Sequence, residues 1–238
     1  MEDYTREAGV RQLRQKLAAL YRDTAVRKLK GADAASMDID HVRKVLGPAK
    51  YRRQDALEAM APGVVHGLAV GPEGGALMVL EVAKLPGKGE LRLTGRLGDV
   101  MREAAHVARA RARLDSGAWG IDSEVWDKTD LHIHAPEAAV PKEGPSAGVA
   151  SYLAMASCMR GIPIRSDLAF TGEVSLRGAV LPVGGIRAKT LAAERAGLRE
   201  VVLPDGNRAD VPEGLRIGVR FVSTVAEAAE VGFEGGGG

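Results

Sequence analysis

Several features that would point to a function on their own are scarce or absent in this 238-residue sequence. It has one cysteine, Cys158, which excludes an intramolecular disulfide and a zinc site built from several cysteines. Aromatic residues are few (2 Trp, 4 Tyr and 3 Phe), which argues against a base-stacking platform for single-stranded nucleic acid. No apolar run reaches the roughly 18 residues of a membrane-spanning helix, so no membrane partner is predicted.

Charge of one sign is not in excess either. The sequence has 33 Lys and Arg against 31 Asp and Glu, a net charge of +2, and therefore no broad basic field for phosphate backbones. The first residues, Met1–Tyr4, lack the charged and apolar segments of a signal peptide. With 45% hydrophobic and 27% charged residues the composition is that of an ordinary globular protein. We expect a soluble, intracellular globular protein that does not bind nucleic acid.

The hydrophobic pattern changes near residue 47. Before that point, apolar residues recur at helical spacing at Val10, Leu13, Leu17 and Leu20. A second short helix is predicted to have Asp40 as its cap and to end at Gly47-Pro48. Two such helices are too small to bury a full core. Residues 1–46 are therefore expected to be a helical piece of something larger, followed by a linker over 47–62.

From Gly63 onwards, strand and helix patterns alternate, which predicts the α/β (α+β) class with βαβ units over 63–233. A flexible glycine tail follows over 234–238. The predicted strands are Val64–Val70, Ala76–Val82, Leu91–Thr94, Asp130–His134, Leu168–Phe170, Ala179–Val183, Glu200–Leu203 and Arg216–Val222. The predicted helices are Asp99–Leu114, Ser146–Met159, Ile186–Ala196 and Thr224–Val231.

A candidate nucleophile stands at the start of the second of these helices. The run from Gly144 to Gly148 fits G-x-S-x-G, the pattern that places a serine hydroxyl where free backbone N–H groups stabilise an oxyanion. Serine is also a preferred helix cap, so the pattern alone leaves a purely structural role open. All five histidines precede Ser146, which excludes the chain order of an α/β-hydrolase. A nucleophilic Ser146 would need a different base.

The helix predicted at 186–196 offers such a base. At about 100° per residue, Lys189 falls in an arc of small apolar residues, opposite Arg187 and Glu194. Most lysines are solvated, so an exposed Lys189 is the competing interpretation. Burial would lower the lysine pKa from about 10.4 towards about 7. A neutral amine can accept the proton of a serine hydroxyl, and Ser–Lys variants of the catalytic triad exist.

These two patterns resemble the proteolytic domain of Lon proteases of the bacterial A type, and the similarity extends along nearly the whole chain. The N-terminal segment resembles the end of the ATPase module of that family, and the others resemble its protease domain. The matching segments are Tyr4–Arg11, Leu93–Met101, Asp130–Glu137, Pro141–Gly148, Phe170–Val174, Gly178–Pro182 and Val183–Lys189.

The resemblance implies a Lon-type protease fold of βαβ units with several small sheets, preceded by a short helical subdomain. It implies a Ser–Lys dyad, with Ser146 as nucleophile, Lys189 as general base and Thr171 orienting the lysine. The loop residues that it assigns to the oxyanion hole are Gly144, Pro145 and Ala147. The polar residues that it assigns to supporting roles are Glu143, His132, His134 and Glu173. No metal site is implied, because the two histidines have no third ligand at suitable spacing.

The resemblance also implies partners and a location in the bacterial cytoplasm. Lon proteases couple ATP-driven unfolding to the degradation of unfolded or damaged proteins, and they assemble as hexameric rings. The chain has no G-x-x-x-x-G-K-[ST] motif, so we expect no cofactor here and ATP with Mg only in a full-length parent; Arg11 matches a nucleotide-sensing arginine. We expect this truncated chain to cleave unstructured peptides without ATP. The alternative is a catalytically silent scaffold on the same fold.

Two positions depart from the family pattern. Glu143 stands where the family usually has Asp, which lengthens the side chain beside the nucleophile and bears on the shape of the 141–146 loop. Val70 stands at a hairpin position that is commonly aromatic. The departure at Val70 bears on surface packing and does not touch the dyad motif.

Overall fold

The chain divides into two compact units. A computed structural model describes residues 3–5, 7, 9–31, 37–49, 56, 59–71, 74–136 and 143–233. One unit comprises Met1–Gln54 with Pro72–Gly74, and the other comprises Asp55–Gly71 with Gly75–Gly238. The predicted tail and much of the predicted linker lie outside the described residues. Among the described helices, none combines the length and hydrophobicity needed to cross a membrane.

The first unit contains two helices, α1 (Arg11–Leu29) and α2 (Ile39–Leu46). The predicted cap of α2 was wrong by two residues. Asp38, not Asp40, is the cap, and its carboxylate accepts the backbone N–H of His41 at 2.8 Å. A cap residue needs an extended backbone, and Asp38 has one, whereas Asp40 already lies within the first helical turn.

The second part of the chain is built on one large sheet. Its strands, with the edge β3 first, follow the order β3-β4-β2-β1-β5-β8-β9, while β6 and β7 form a separate two-stranded ladder. The strands are β1 (Val64–Gly71), β2 (Gly74–Pro86), β3 (Leu91–Thr94), β4 (Thr129–His134), β5 (Leu168–Phe170), β6 (Glu173–Val174), β7 (Val180–Leu181), β8 (Glu200–Pro204) and β9 (Gly218–Val222).

The α/β class is confirmed, but the strands gather into a larger sheet than the several small ones expected. The strands β1, β5, β8 and β9 pair in parallel. β5 is buried at every position and β8 at all but its first, and such apolar strands need cover on both faces. They therefore join a common sheet. On the other side of β1, β2 pairs antiparallel with β4, and β4 pairs in parallel with the edge strand β3.

Helices surround this sheet close to the predicted places, with three differences. The α5 helix begins at Gly148 and α7 ends at Phe233, each two residues later than predicted. The five-residue α4 helix was not predicted, because it is too short to show a period. The helices are α3 (Asp99–Asp115), α4 (Ser123–Asp127), α5 (Gly148–Arg160), α6 (Ile186–Arg195) and α7 (Val225–Phe233), with 3-10 turns at Ser116–Trp119, Pro145–Ala147 and Asp205–Asp210.

The central strand β5 separates two hydrophobic cores. Leu168 and Phe170 point into the core that contains α3, α5 and α7. Ala169, between them, points into the core that contains Ile186 and Ala193 of α6. Side chains alternate across a strand, so α5 and α6 cover opposite faces of the sheet. The residue that follows β5 therefore lies where segments from both faces meet.

Candidate active site

Ser146 lies in a 3-10 turn immediately before α5. The turn spans Pro145–Ala147 and is closed by the N–H of Gly148, which donates to the carbonyl of Pro145. Gly144 enters it at φ 103°, a backbone region that favours glycine. Neither this turn nor α5 has a side-chain cap, so the half-buried Ser146 hydroxyl does not serve as a helix cap. The purely structural interpretation of this serine thereby loses its support.

The backbone of Ser146 is fixed to the segment that follows β5. Its carbonyl oxygen accepts the N–H of Gly172 at 2.9 Å and the hydroxyl of Thr171 at 3.2 Å. The N–H of Val149, in the first turn of α5, donates back to the carbonyl of Gly172 at 3.1 Å. The turn that carries Ser146 is therefore held by backbone bonds on both sides.

Lys189 lies in the first part of α6 and is only 3% exposed, so the competing prediction of a solvated lysine was wrong. Its Nζ donates to Thr171 Oγ1 at 3.0 Å. Burial disfavours the charged ammonium and lowers the pKa of Lys189 from 10.5 to about 8. A minor neutral fraction of the amine is thus present near neutral pH.

Thr171 connects the two candidate catalytic residues. It follows β5, where α5 and α6 approach from opposite faces of the sheet, and its own N–H donates to Val202 of β8 at 3.2 Å. Its hydroxyl proton goes to the Ser146 carbonyl, which leaves the oxygen free to accept from Lys189. Among the described residues no hydrogen bond joins Lys189 directly to the Ser146 hydroxyl. The connection between them runs through Thr171.

Glu143 caps a helix from outside that helix. Its Oε1 accepts the N–H of Val100, in the first turn of α3, at 3.0 Å, and the N–H of Gly144 at 3.1 Å. Its carboxylate lies 1.6 Å from the place that a Cβ on Gly98 would take, so any side chain at position 98 would displace this carboxylate. A carboxylate at a helix N-terminus is electrostatically favourable. Glu143 thus ties the loop before Ser146 to α3.

The two histidines of β4 share one partner. Thr94 Oγ1 is 2.9 Å from His132 Nε2 and 2.8 Å from His134 Nδ1. The hydroxyl has one proton to donate, so it donates to one ring and accepts from the other. In the described part of the chain, no hydrogen bond joins either histidine to Ser146 or Lys189. Their supporting roles stay a prediction.

The other predicted residues are placed as follows. Glu173 lies half-buried in β6, opposite Leu181 of β7. Arg11 is the first residue of α1, in the first unit, and its side chain is exposed. No cluster of three His, Cys, Asp or Glu side chains within the described ranges is placed to hold a metal ion.

Two contacts were not found from the sequence. One is the bridge that Thr94 makes between the histidines, although Thr94 belongs to a segment that resembles the family. The other is the hold of Glu143 on the N-terminus of α3. The glycine at position 98 was the available signal for the second, because a helix without a capping side chain of its own needs another partner for its first N–H groups.

Comparison with known proteins places these residues in a family. Residues 36–233 match the model of the Lon protease (S16) C-terminal proteolytic domain, and residues 1–37 match that of the Lon protease AAA+ ATPase lid domain. Lon protease 2 of Sorangium cellulosum is 45% identical over 233 residues, which is 95% of this chain and 29% of the relative. Lon protease 2 of Thermus thermophilus is 46% identical over 222 residues, 92% of this chain and 28% of the relative. The chain thus spans less than a third of the length of these relatives.

Proposed function

This chain belongs to the Lon protease family, and we propose that it is a serine endopeptidase in which Ser146 is the nucleophile and Lys189 the general base. The observation that carries the proposal is the connection from Lys189 through Thr171 to Ser146. A lysine that is 3% exposed, with a threonine hydroxyl as its hydrogen-bond partner, is arranged as a base rather than as a surface charge.

The lowered pKa of Lys189 suits it for proton transfer. With a pKa of about 8, about a tenth of the molecules carry a neutral amine at pH 7. A base with a pKa near the working pH combines a usable neutral fraction with enough basicity to remove a proton in the transition state. Thr171 orients the amine by accepting one of its N–H bonds, and this leaves the nitrogen lone pair for the serine proton.

The proposed reaction proceeds in two halves. Ser146 Oγ attacks the peptide carbonyl carbon while Lys189 takes the hydroxyl proton. The tetrahedral intermediate then breaks its C–N bond as the Lys189 ammonium protonates the leaving amine, and an ester to Ser146 remains. Water attacks this ester while Lys189 accepts a proton from the water. Release of the carboxylic acid returns that proton to Ser146 and restores the starting state.

Charge on the carbonyl oxygen needs stabilising in both halves. We assign this task to backbone N–H groups of the turn that contains Ser146 and Ala147, with Gly144 and Pro145 shaping the turn. Such groups stand at the start of α5, where the helix dipole also favours negative charge. Glu143, His132, His134 and Glu173 are assigned supporting roles around this turn.

For the whole protein we propose the ATP-dependent degradation of unfolded or damaged proteins by a hexameric ring in the bacterial cytoplasm. This goes beyond the present chain, which covers 29% of the Sorangium relative. ATP and Mg would bind elsewhere in a full-length parent, because no phosphate-binding loop motif is present in the sequence and Arg11 is the sole residue here assigned to nucleotide sensing. The chain itself is proposed to cleave unstructured peptides without ATP.

Covalent labelling tests the nucleophile directly. A fluorophosphonate probe should add to the peptide that contains Ser146, as detected by mass spectrometry, and Ser146→Ala should abolish the adduct. Lys189→Ala should slow labelling strongly, because the hydroxyl loses its base. Absence of an adduct in the unchanged chain would instead favour the catalytically silent scaffold.

A further inference from the structure

We infer that Gly75 is a positioning residue for Lys189: by lacking a side chain, it lets strand β2 lie directly against the backbone of α6 beside Ala188. The inference rests on the proposed function, because it assigns to this contact the task of placing the general base. Gly75 does not touch the candidate catalytic groups and acts only through the helix that carries one of them.

The contact between Gly75 and α6 is too close for any other residue. A Cβ at Gly75 would lie 2.0 Å from the carbonyl oxygen of Ala188 and 2.5 Å from its carbonyl carbon. It would also lie 3.1 Å from the Cβ of Ala192, one turn further along the helix. The closest atoms belong to the helical backbone, which cannot rotate away as a side chain does. Relief therefore requires α6 or β2 to move by about 1 Å or more.

Two more contacts join the same hairpin to α6. The guanidinium Nη2 of Arg195, in the last turn of the helix, donates to the carbonyl of Gly75 at 3.1 Å. At the other end, Gly185 caps α6 with φ 75°, and a Cβ there would lie 2.7 Å from Val70 Cγ2. The hairpin thus contacts the start, the middle and the end of α6. This helix buries only one side, and Arg187 and Leu191 on its other side are exposed.

The hydrogen bond and the burial of Lys189 both depend on the position of α6. Lys189 follows Ala188 directly, and within the described residues the single hydrogen bond of its side chain is the one to Thr171 at 3.0 Å. Its burial likewise depends on how closely α6 lies against the sheet. A misplacement of about 1 Å in a catalytic arrangement reduces the rate by about 100-fold. A side chain at Gly75 should therefore act on the base rather than on substrate binding.

The same hairpin offers a matched control. Gly71, at the end of β1, has no atom within 4 Å of the place that a Cβ would take, and its φ is not positive. Gly71→Ala adds the same methyl group to the same hairpin without meeting α6. Gly74 does not serve, because its φ of 111° would strain any substitution.

The experiment compares Gly75→Ala with Gly71→Ala in the whole chain, using cleavage of an unstructured fluorogenic peptide across pH. We expect Gly75→Ala to lower kcat by about 10- to 100-fold with KM within about twofold, and to move the acidic limb of the pH profile upwards. Gly71→Ala should have the kcat, the KM and the pH profile of the unchanged chain. A folded Gly75→Ala with unchanged kcat and pH profile overturns the inference.

An activity-independent readout separates this inference from the proposed function. The 13Cε resonance of Lys189, assigned by its loss in Lys189→Arg, reports the titration of the amine. Gly75→Ala should raise the titration midpoint and Gly71→Ala should leave it unchanged. If Lys189→Arg retains full peptidase activity, the proposed base is wrong, but a raised midpoint in Gly75→Ala still supports the positioning contact. An unchanged midpoint overturns it.

A milder pair of variants decides the matter if Gly75→Ala does not fold. Val70 is 48% exposed, and Val70→Ala trims the contact at Gly185 without adding any atom. Leu85, 43% exposed in β2 and paired with Asp130 of β4, provides the control Leu85→Ala. Val70→Ala should shift the Lys189 midpoint in the same direction by a smaller amount. Equal midpoints in these two variants overturn the inference.

Discussion

The helices that carry the two halves of the candidate dyad are held in opposite ways. α5, which follows Ser146, is buried at every residue from Gly148 to Met159. α6, which carries Lys189, buries only one side, and its exposed residues include Arg187 and Leu191. The nucleophile therefore stands at the end of a helix fixed by the main core, whereas the base stands on a covering helix fixed by a few close contacts.

The difference shows how a lysine side chain can be buried on a helix that is itself exposed on one side. On α6, small side chains and the bare Gly75 bring the backbone close to the sheet, so that a single long side chain reaches the dry region near Thr171. On the Ser146 side, position comes from backbone hydrogen bonds and from the carboxylate of Glu143 at the start of α3. Substitutions should thus displace Lys189 through the packing of α6. They should displace Ser146 through the polar contacts of the turn that carries it.

The contrast in burial predicts unequal costs for the same substitution in the two helices. Leu153→Ala, in fully buried α5, should lower the free energy of unfolding by about 3 kcal/mol, because it leaves a cavity. Leu191→Ala, at a 40% exposed position of α6, should cost less than about 0.5 kcal/mol. Urea unfolding of both variants measures this. Equal losses in free energy of unfolding for the two variants would contradict the difference in burial between α5 and α6.

Burial of Lys189 should also reduce stability. Between pH 8 and 10.5 the unfolded chain binds more protons at this lysine than the folded one, so stability rises with pH across that window. Below about pH 8 both states are protonated and the full penalty of roughly 3 kcal/mol remains. Lys189→Met should therefore raise the free energy of unfolding at pH 7 by an amount of this order, while abolishing activity. Urea unfolding at pH 7 and 10 checks both, and a less stable Lys189→Met would contradict the account.

The hydroxyl of Thr171 is expected to matter more than its shape. Thr171→Val keeps the volume but removes the acceptor of Lys189 and the donor to the Ser146 carbonyl, so kcat should fall by about 10- to 100-fold. Thr171→Ser retains the hydroxyl and should keep most of the activity. Peptide cleavage by the two variants measures the difference, and equal activity would show that the connection is not needed.

The smallest effect is expected at Glu143. Glu143→Ala removes the outside cap of α3 and should lower the free energy of unfolding by about 1 kcal/mol. Glu143→Gln keeps an acceptor oxygen but loses the favourable charge at the helix terminus. Its free energy of unfolding should therefore lie between those of the unchanged chain and Glu143→Ala. Because this charge effect is screened by salt, the difference in free energy of unfolding between the unchanged chain and Glu143→Gln should narrow in concentrated NaCl. If this difference in free energy of unfolding does not depend on salt, the role of Glu143 comes from its shape and not from its charge.

Much of the fold was predictable because its signals are local. Long periodic segments such as α3 and α6 were predicted to within a residue at each end, and the alternating strand β3 was predicted without error. The start of α5 was not, since G-x-S-x-G describes both a helix start and a turn before one. In the structure the 3-10 turn Pro145–Ala147 holds Ser146, and α5 begins after it at Gly148.

The site was predictable in part. The arc of small residues around Lys189 left burial and an exposed amine both open, and the structure shows that the lysine is buried. The assignment of Thr171 came from the family resemblance alone, because a threonine after a short strand has no distinguishing pattern. The contacts of Glu143 with α3 and of Gly75 with α6 join segments 43 and 113 residues apart, and no local rule brings such segments together.

Cleavage of an unstructured fluorogenic peptide without ATP tests the central claim most directly. The unchanged chain should cleave the peptide, and Ser146→Ala and Lys189→Ala should each reduce cleavage to background. Activity that survives both substitutions would contradict the Ser–Lys dyad, and an inactive unchanged chain would contradict the proposal that these 238 residues form a working peptidase.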